Sequence, residues 1–380
     1  MNANALPHAA RRGDKRPARG NGIRSGEGGS GWLFTAPAII IIGVFLVLPI
    51  FLALWVSVSD WSGLGSPINS QVGFVGAKNY QSVLTAGGLA EQTFGTSIRN
   101  NLWFVVFVVP LQTAIALFLA VQVNRRLLRA RGFFRTAFYF PSVTSAVAIT
   151  GIFIFLFASS GAVNQIIAAL GGTGPTWFAD SRGIFHIVAS WFGVGNNPPG
   201  LSGTALLELS WWDWLSGPSV AMCVIIILVV FTTSGTFMLL FLAALQNIGG
   251  EIEEAALVDG AGPFRKFFGV TLPMLKPTLF TVLTLGLIGT WQIFDQIYIL
   301  GGGKPANTTL TPAFLAYQTS FKNLNWGDGA AISFILFAII VVLTALQRII
   351  LRDRSNKERL DKPLARLLRN GSIPPNGGAQ

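Results

Sequence analysis

The sequence has little charge, a single cysteine and only two histidines. Charged residues make up 11% of its 380 residues, whereas 51% are hydrophobic, and a soluble domain usually has about a quarter charged residues. Too few charged side chains are present to cover a surface in water, so lipid must solvate much of the chain. The lone cysteine, Cys223, lies in an apolar run. It excludes an intrachain disulfide and a cysteine-based zinc site, and we interpret it as a small core or lipid-facing residue.

Groups for catalysis and for ATP hydrolysis are missing as well. His8 and His186 both lie outside the long apolar segments, so metal catalysis and intramembrane proteolysis lack candidate residues. A P-loop has the pattern G-x-x-x-x-G-K-[ST], whose backbone amides cradle phosphates. The most similar stretch, Gly301–Pro305, has proline where the serine or threonine should follow the lysine. We therefore predict no catalytic residue, no metal and no cofactor, and any ATP hydrolysis must occur in another subunit.

Long apolar segments are what the sequence has instead. A helix needs about 20 apolar residues to cross a hydrocarbon core about 30 Å thick, because no backbone amide can stay unpaired there. Six segments reach that length. They predict an all-α integral membrane protein with six transmembrane helices, the first of which is too long for a cleaved signal peptide. The predicted spans are approximately 34–57, 102–123, 137–158, 219–245, 278–300 and 330–350.

Basic residues predict how these spans are oriented. Of the 27 Lys and Arg residues, 22 lie before the first span, after the second, after the fourth or after the sixth. Both termini are therefore expected in the cytoplasm, and the net charge of +11 needs no nucleic acid to explain it. Residues 1–30 and 353–380 are polar and lack apolar periodicity, so we predict two disordered tails around a membrane domain of residues 31–352.

The loop between the fourth and fifth spans, residues 246–277, is the most informative part of the sequence. Three glutamates lie in its first predicted helical turn, where the helix dipole favours negative charge. The pair Asp259 and Gly260 indicates a turn, and phenylalanines at helical spacing indicate a second helix. We expect Pro273 and Pro277 to end that helix. On periodicity alone, an amphipathic helix lying on the membrane explains the loop equally well.

The spacing within this loop resembles the EAA loop of binding-protein-dependent ABC importer permeases. The pattern is Glu-Ala-Ala, three residues, glycine, nine residues, an aliphatic residue, any residue and Leu-Pro; here Val270 replaces the more usual isoleucine. The resemblance implies that this helix docks into a cleft of a cytoplasmic ATPase. The coupling residues that it implies are Glu254, Ala255, Ala256, Asp259, Gly260, Leu272 and Pro273.

A second stretch, Phe294–Pro305, resembles maltose-type and glycerol-phosphate-type permeases, with Lys304 where that family has glycine. The likeness covers about residues 31–170 and 213–350. It implies the type I ABC importer permease fold in the inner membrane, surrounded by membrane lipid. It also implies three kinds of partner: a second permease subunit, two cytoplasmic ATPase subunits and an extracytoplasmic solute-binding protein.

The same resemblance implies a solute. We expect the chain to form half of a pathway for a mono-, di- or oligosaccharide or for glycerol phosphate. A secondary transporter or channel is the alternative; it would need ion-binding polar groups at mid-membrane, where this sequence has almost no charge.

Four residues are candidates for lining the solute pathway: Trp291, Gln292, Asp295 and Thr233. Trp291 precedes Asp295 by one turn of a continuous helix, so we expect the two to share a face with Gln292 beside them. An aromatic ring with amide and carboxylate groups suits the apolar face and the hydroxyls of a sugar. The alternative is an interfacial tryptophan with polar groups that bond to neighbouring helices or backbone carbonyls.

Residues 171–212 depart from the family pattern by their extra length. Within them, 183–192 is apolar but too short to cross a membrane, and we predict an interfacial or re-entrant helix on the outer face. We hypothesise that this insertion enlarges the docking surface for the solute-binding protein. A neutral loop insertion is the alternative.

Overall fold

The computed structural model describes residues 25–125, 130–195 and 198–351. The two tails that we predict to be disordered fall outside these residues except for Ser25–Ser30, which are helical. For those six residues the prediction of disorder is wrong. The chain divides into two units, residues 1–53 and residues 54–380.

The first unit is built from one apolar helical segment. Helix α1, Ser25–Ile42, passes through a π-helical turn at Gly43–Val47 into α2, Leu48–Ser57. Large apolar side chains such as Phe34 and Phe45 are exposed along it. Such an apolar helix suits lipid as its solvent.

The second unit is helical, apart from one short hairpin within the ranges that the structure describes. Strands β1, Thr204–Leu206, and β2, Leu209–Ser210, form the hairpin. Two π-helical turns occupy Phe267–Thr271 and Gln318–Lys322. The α-helices are α3 Lys78–Leu84, α4 Leu89–Asn124, α5 Arg131–Val143, α6 Ala146–Leu156, α7 Ala162–Ala169, α8 Ile184–Trp191, α9 Trp211–Trp214, α10 Val220–Gln246, α11 Gly250–Val258, α12 Pro263–Lys266, α13 Leu272–Met274, α14 Lys276–Trp291, α15 Asp295–Ile299, α16 Pro312–Tyr317 and α17 Trp326–Ile350.

The long apolar helices match the predicted spans. In the described part of the chain, five helical segments are long and apolar enough to cross a membrane. They confirm an all-helical membrane protein, in which a sixth crossing would need a bent pair of shorter helices. The five segments are Gly31–Ser57, Leu89–Asn124, Val220–Gln246, Lys276–Ile299 and Trp326–Ile350.

The third predicted span is not one straight helix. Helices α5 and α6 meet at an angle of 95°, so a continuous helix over 137–158 is wrong. The chain leaves the helical conformation at Thr144 and Ser145, whose ψ angles are 145° and 132°. The Thr144 hydroxyl donates to the Phe140 carbonyl at 2.9 Å, and Pro141 lacks an amide hydrogen. Such local bonds compete with the helical ladder and favour the bend.

Helix α10 lies at the centre of the second unit and packs against α4, α5 and α14. It contributes several fully buried side chains, among them Met222, Leu228, Met238 and Phe241. A Cβ atom on its Gly235 would collide with the backbone of α5. Glycine therefore allows the two helices to approach closely, as small residues do in membrane proteins.

Candidate coupling loop and solute pathway

Helix α11 ends in a turn that explains the glycine of the EAA pattern. Gly260 has a left-handed backbone, with φ of +73°. Its amide donates to the Leu257 carbonyl at 3.0 Å, and the Ala261 amide donates to the Ala256 carbonyl at 2.9 Å. Together these bonds form a Schellman motif, in which glycine is favoured at the left-handed position. A Cβ at Gly260 would touch nothing within 4 Å, so the turn requires glycine for its backbone angles and not for space.

Around this turn the loop exposes large apolar side chains. Val258 is 88% exposed and Phe264 is 81% exposed, and both Leu257 and Phe268 are also exposed. We call these four residues the coupling face. Exposed apolar surface of this kind typically marks an interaction site.

The residues of the EAA pattern fall on two sides of α11. Glu254, Ala255, Asp259 and Gly260 are exposed. Ala256 is buried within the chain, so in this structure its side chain does not face a partner protein. Its contribution is the carbonyl that closes the Schellman motif.

The two prolines at the end of the loop lie in two successive helices. The Leu272 amide donates to the Phe267 carbonyl across the π-helical turn, one residue farther back than in an α-helix. Pro273 lies inside α13, and Pro277 lies in the first turn of α14, where the missing amide hydrogen leaves no bond unmade. Helix α13 ends at Met274 and α14 begins at Lys276, so the second helix of the loop ends between the two prolines. Between them, Leu275 is buried in the cluster formed by α4, α10 and α14, and it anchors the loop to the helices.

A cavity of about 330 Å³ lies between α4, α10 and the junction of α14 with α15. Its size is at the lower end of the range of about 300–1,000 Å³ for ligand pockets. Its polar lining consists of Gln112, Thr232, Thr233, Thr290, Gln292, Asp295 and Gln296. Three of the four pathway residues predicted from the sequence are in that set.

The fourth, Trp291, is not a lining residue. Helix α14 ends at Trp291, the next three residues are not helical, and α15 begins at Asp295. Trp291 is buried and packs in a cluster with Leu336 and Ile340. The expected shared face of Trp291 and Asp295 is therefore wrong, because it assumed an unbroken helix.

The broken backbone finds a hydrogen-bond partner within the protein. The hydroxyl of Thr311, which is fully buried, donates to the Ile293 carbonyl at 3.2 Å. Interrupted helices are tolerated at membrane depth where side chains satisfy the freed carbonyls and the backbone lines a cavity. Residues 292–296 meet that condition.

Gln112 was not among the residues predicted from the sequence, yet it lines the cavity. Its side chain is 1% exposed. Its Oε1 accepts a hydrogen bond from the Thr233 hydroxyl at 2.6 Å, while its Nε2 has no partner among the described residues. A methyl group at Gly286 would approach that nitrogen to 2.5 Å. A buried amide without a partner costs free energy, so a hydroxyl that reached this nitrogen would offset that cost.

The insertion has helical and hairpin structure in its described residues, 171–195 and 198–212. The predicted short helix is present as α8. His186 stacks on Trp212 with ring centroids 4.2 Å apart. Arg182 binds Asp180 at 2.7 Å, and this hydrogen bond holds the pKa of Asp180 below its ordinary value. Between the insertion and the first turns of α4 lies a polar cavity of about 590 Å³.

Comparison with known proteins agrees with this architecture. A family model described as binding-protein-dependent transport system inner membrane component matches residues 112–356. The lactose transport system permease protein LacF of Rhizobium radiobacter is 33% identical over 329 residues, which cover 86% of this chain and 95% of LacF. The trehalose/maltose transport system permease protein MalF of Thermococcus litoralis is 32% identical over 318 residues, 83% of this chain and 90% of MalF.

A solved structure shows the same fold. It is the crystal structure of a bacterial ABC transporter involved in the import of the acidic polysaccharide alginate. The match has a TM-score of 0.64 at 18% identity and covers 86% of this chain and 97% of that chain.

Proposed function

Because this chain belongs to the family of binding-protein-dependent transport system inner membrane components, we propose that it forms half of the pathway by which an ATP-driven importer moves a carbohydrate. Such a permease is a non-catalytic membrane subunit that works with a binding protein and ABC subunits. The observation that carries the proposal is the exposed coupling face beside the Schellman turn of α11.

The proposed complex contains a second permease subunit, two cytoplasmic ATPases and an extracytoplasmic solute-binding protein. The permease domain is residues 31–352, and we count the bent pair of α5 and α6 as the third of six spans. An even number of spans puts both termini on one side of the inner membrane. The distribution of Lys and Arg supports the cytoplasm as that side.

The coupling loop, residues 246–277, is proposed to dock on an ATPase. Glu254, Ala255 and Asp259 are exposed beside the coupling face and supply its polar rim. Gly260 and Ala256 hold the turn through their backbones. At the other end, Leu272 and Pro273 continue the helix towards the buried Leu275, which connects the loop to α10 and α14.

The cavity is proposed to hold the solute during transport. Thr233, Gln292 and Asp295 line it together with Gln112, and all four offer hydrogen-bonding groups to sugar hydroxyls. Trp291 supports the wall from behind by packing. Asp295 is the only ionisable side chain among the described lining residues. Because its carboxylate would repel a phosphate, the cavity favours a neutral sugar over glycerol phosphate.

The insertion, residues 171–212, is proposed to lie outside the membrane and to widen the surface on which the binding protein docks. Its folded helix α8, its hairpin and the polar cavity beside α4 support this role. Deletion of residues 174–210 should weaken binding-protein docking, and normal docking by the shortened chain would contradict the proposal.

Purification and reconstitution test the proposed function. The chain should co-elute with an ATPase, and Glu254→Lys should abolish co-elution by reversing the charge of the polar rim. Proteoliposomes that contain the complete complex should accumulate sugar only with ATP and the binding protein. Transport by the isolated chain without ATP would instead favour a secondary transporter.

A further inference from the structure

Aromatic rings form a continuous series that starts at the cavity. Phe294 lines the cavity and stacks on Tyr298 with centroids 5.7 Å apart. Tyr298 contacts Tyr317 at 5.7 Å, Tyr317 stacks on Phe321 at 5.2 Å, and Phe321 contacts Trp326 at 4.9 Å. We call these five residues the aromatic track. They come from the α14–α15 junction, α15, α16, the second π-helical turn and the start of α17.

The track has a buried anchor and an exposed surface. Phe314 is 1% exposed and contacts Phe294, Tyr298 and Tyr317 at centroid distances of 6.0 to 6.3 Å. By contrast, Tyr298 is 49% exposed and Phe321 is 58% exposed. A role in the hydrophobic core explains the buried Phe314. It does not explain why Tyr298 and Phe321 are exposed.

Polar groups accompany these rings. The Lys322 ammonium lies 5.3 Å from the Phe314 centroid and 6.0 Å from the Tyr298 centroid, within the range of a cation–π contact. Tyr298 and Tyr317 add hydroxyls. An ammonium group is costly among lipid tails. A sugar, with an apolar face and a rim of hydroxyls, matches rings that have polar tips.

The π-helical turn presents one of the exposed rings. Residues Gln318–Lys322 form this turn directly before the helix of the last candidate span, and Phe321 projects from it. Turns of this type occur frequently at functional sites. Neighbouring centroids are 4.9 to 5.7 Å apart, so the rings form an unbroken series of contacts.

We propose that the aromatic track binds carbohydrate by stacking and guides it from the binding protein into the cavity. This inference rests on the proposed function and deepens it, since it names a second site for the same solute. The track captures sugar that the binding protein releases, and without it that sugar escapes while ATP is still hydrolysed.

The test measures sugar accumulated per ATP hydrolysed by the complete complex in proteoliposomes, with radiolabelled lactose, maltotriose and arabinotriose as probes. Phe321→Leu and Tyr298→Leu keep an apolar side chain but remove the ring. For the probe that the unaltered complex accumulates best, we expect each variant to lower the ratio of sugar to ATP about three- to tenfold.

The matched controls Phe321→Trp and Tyr298→Phe keep a ring, and their ratio of sugar to ATP should stay within about twofold of the unaltered complex. ATP hydrolysis stimulated by the binding protein should be retained throughout, which shows that the variants fold and assemble.

Three outcomes would overturn the proposal. Normal sugar-to-ATP ratios in the Phe321→Leu and Tyr298→Leu double variant would exclude the track and leave the proposed function standing. Loss of the second permease from the purified leucine variants would identify the rings as a subunit interface. Failure of the unaltered complex to accumulate any of the three sugars would remove the proposed function and the track together.

Discussion

The coupling loop and the cavity contrast in how their geometry arises. The turn at Gly260 is made by residues within five positions of one another, so local sequence determines it. The cavity joins Gln112 to Thr233, residues that are 121 positions apart, and it opens where the fifth span is interrupted. The first region is a local motif with an uncovered surface, and the second is a polar site that only the packed helices create.

Replacing Gly260 by proline should have the largest effect. Proline cannot adopt a φ of +73° and has no amide to donate to Leu257. We expect sugar uptake and co-purification of the ATPase to fall roughly a hundredfold. Gly262→Ala is the matched control: its φ is −63° and a Cβ there touches nothing within 4 Å. Equal loss in both variants would mean that the loop is sensitive to any change, not to its turn.

A charge on the coupling face should have the next largest effect. Val258 is almost fully exposed, so Val258→Asp should leave the fold intact while it weakens ATPase binding about thirtyfold. The control Val258→Leu keeps the apolar surface. Binding can be measured by titrating the detergent-solubilised permease with ATPase. Unchanged affinity in the aspartate variant would show that this face meets lipid and not protein.

The cavity should respond differently. Gln112→Leu removes the buried amide whose Nε2 has no partner among the described residues, and we expect a five- to tenfold slower uptake of sugar, roughly the effect of one lost hydrogen bond. ATPase co-purification should not change. Gln122→Leu, on the same helix but not among the residues lining the cavity, is the control. A loss of ATPase binding in Gln112→Leu would erase the distinction between the two regions.

A change outside both regions should have the smallest effect. The hydrogen bond from Arg182 lowers the pKa of Asp180. The hydrogen bond therefore stabilises the fold at pH values above the unfolded pKa of the carboxyl group, and this stabilisation is lost as the pH falls through the lowered pKa. Arg182 is largely exposed, which makes the contribution small. Asp180→Asn should therefore leave uptake unchanged and flatten the acid side of the thermal-stability profile slightly. A defect in sugar uptake at neutral pH would contradict this prediction and show that the insertion contributes to transport.

The parts of the fold that local sequence determines were predictable. Length and hydropathy predicted six spans, five of which are single long helices, and the pair Asp259 and Gly260 predicted the turn. The 95° bend at Thr144 and the break after Trp291 were not predictable. Polar residues occur at both places, but hydropathy does not show that the helix yields there to a side-chain bond at Thr144 or to a partner distant in sequence, Thr311.

The candidate site divides in the same way. Thr233, Gln292 and Asp295 were identified because polar residues are rare in apolar spans, and the same signal was present at Gln112. Whether Trp291 lines the cavity depends on whether the helix continues beyond it, and composition does not show where a helix breaks. Ala256 was expected to face a partner, and only its burial in the structure reveals a backbone role.

Crosslinking at the coupling face tests the central claim most directly. In a Cys223→Ser background, Val258→Cys would be the chain's only cysteine. In the assembled complex, a short thiol-to-amine crosslinker should join it to the ATPase and arrest sugar uptake. Labelling of that cysteine by a lipid-soluble maleimide, without any crosslink to the ATPase, would show that the loop lies in the membrane surface and would contradict the account.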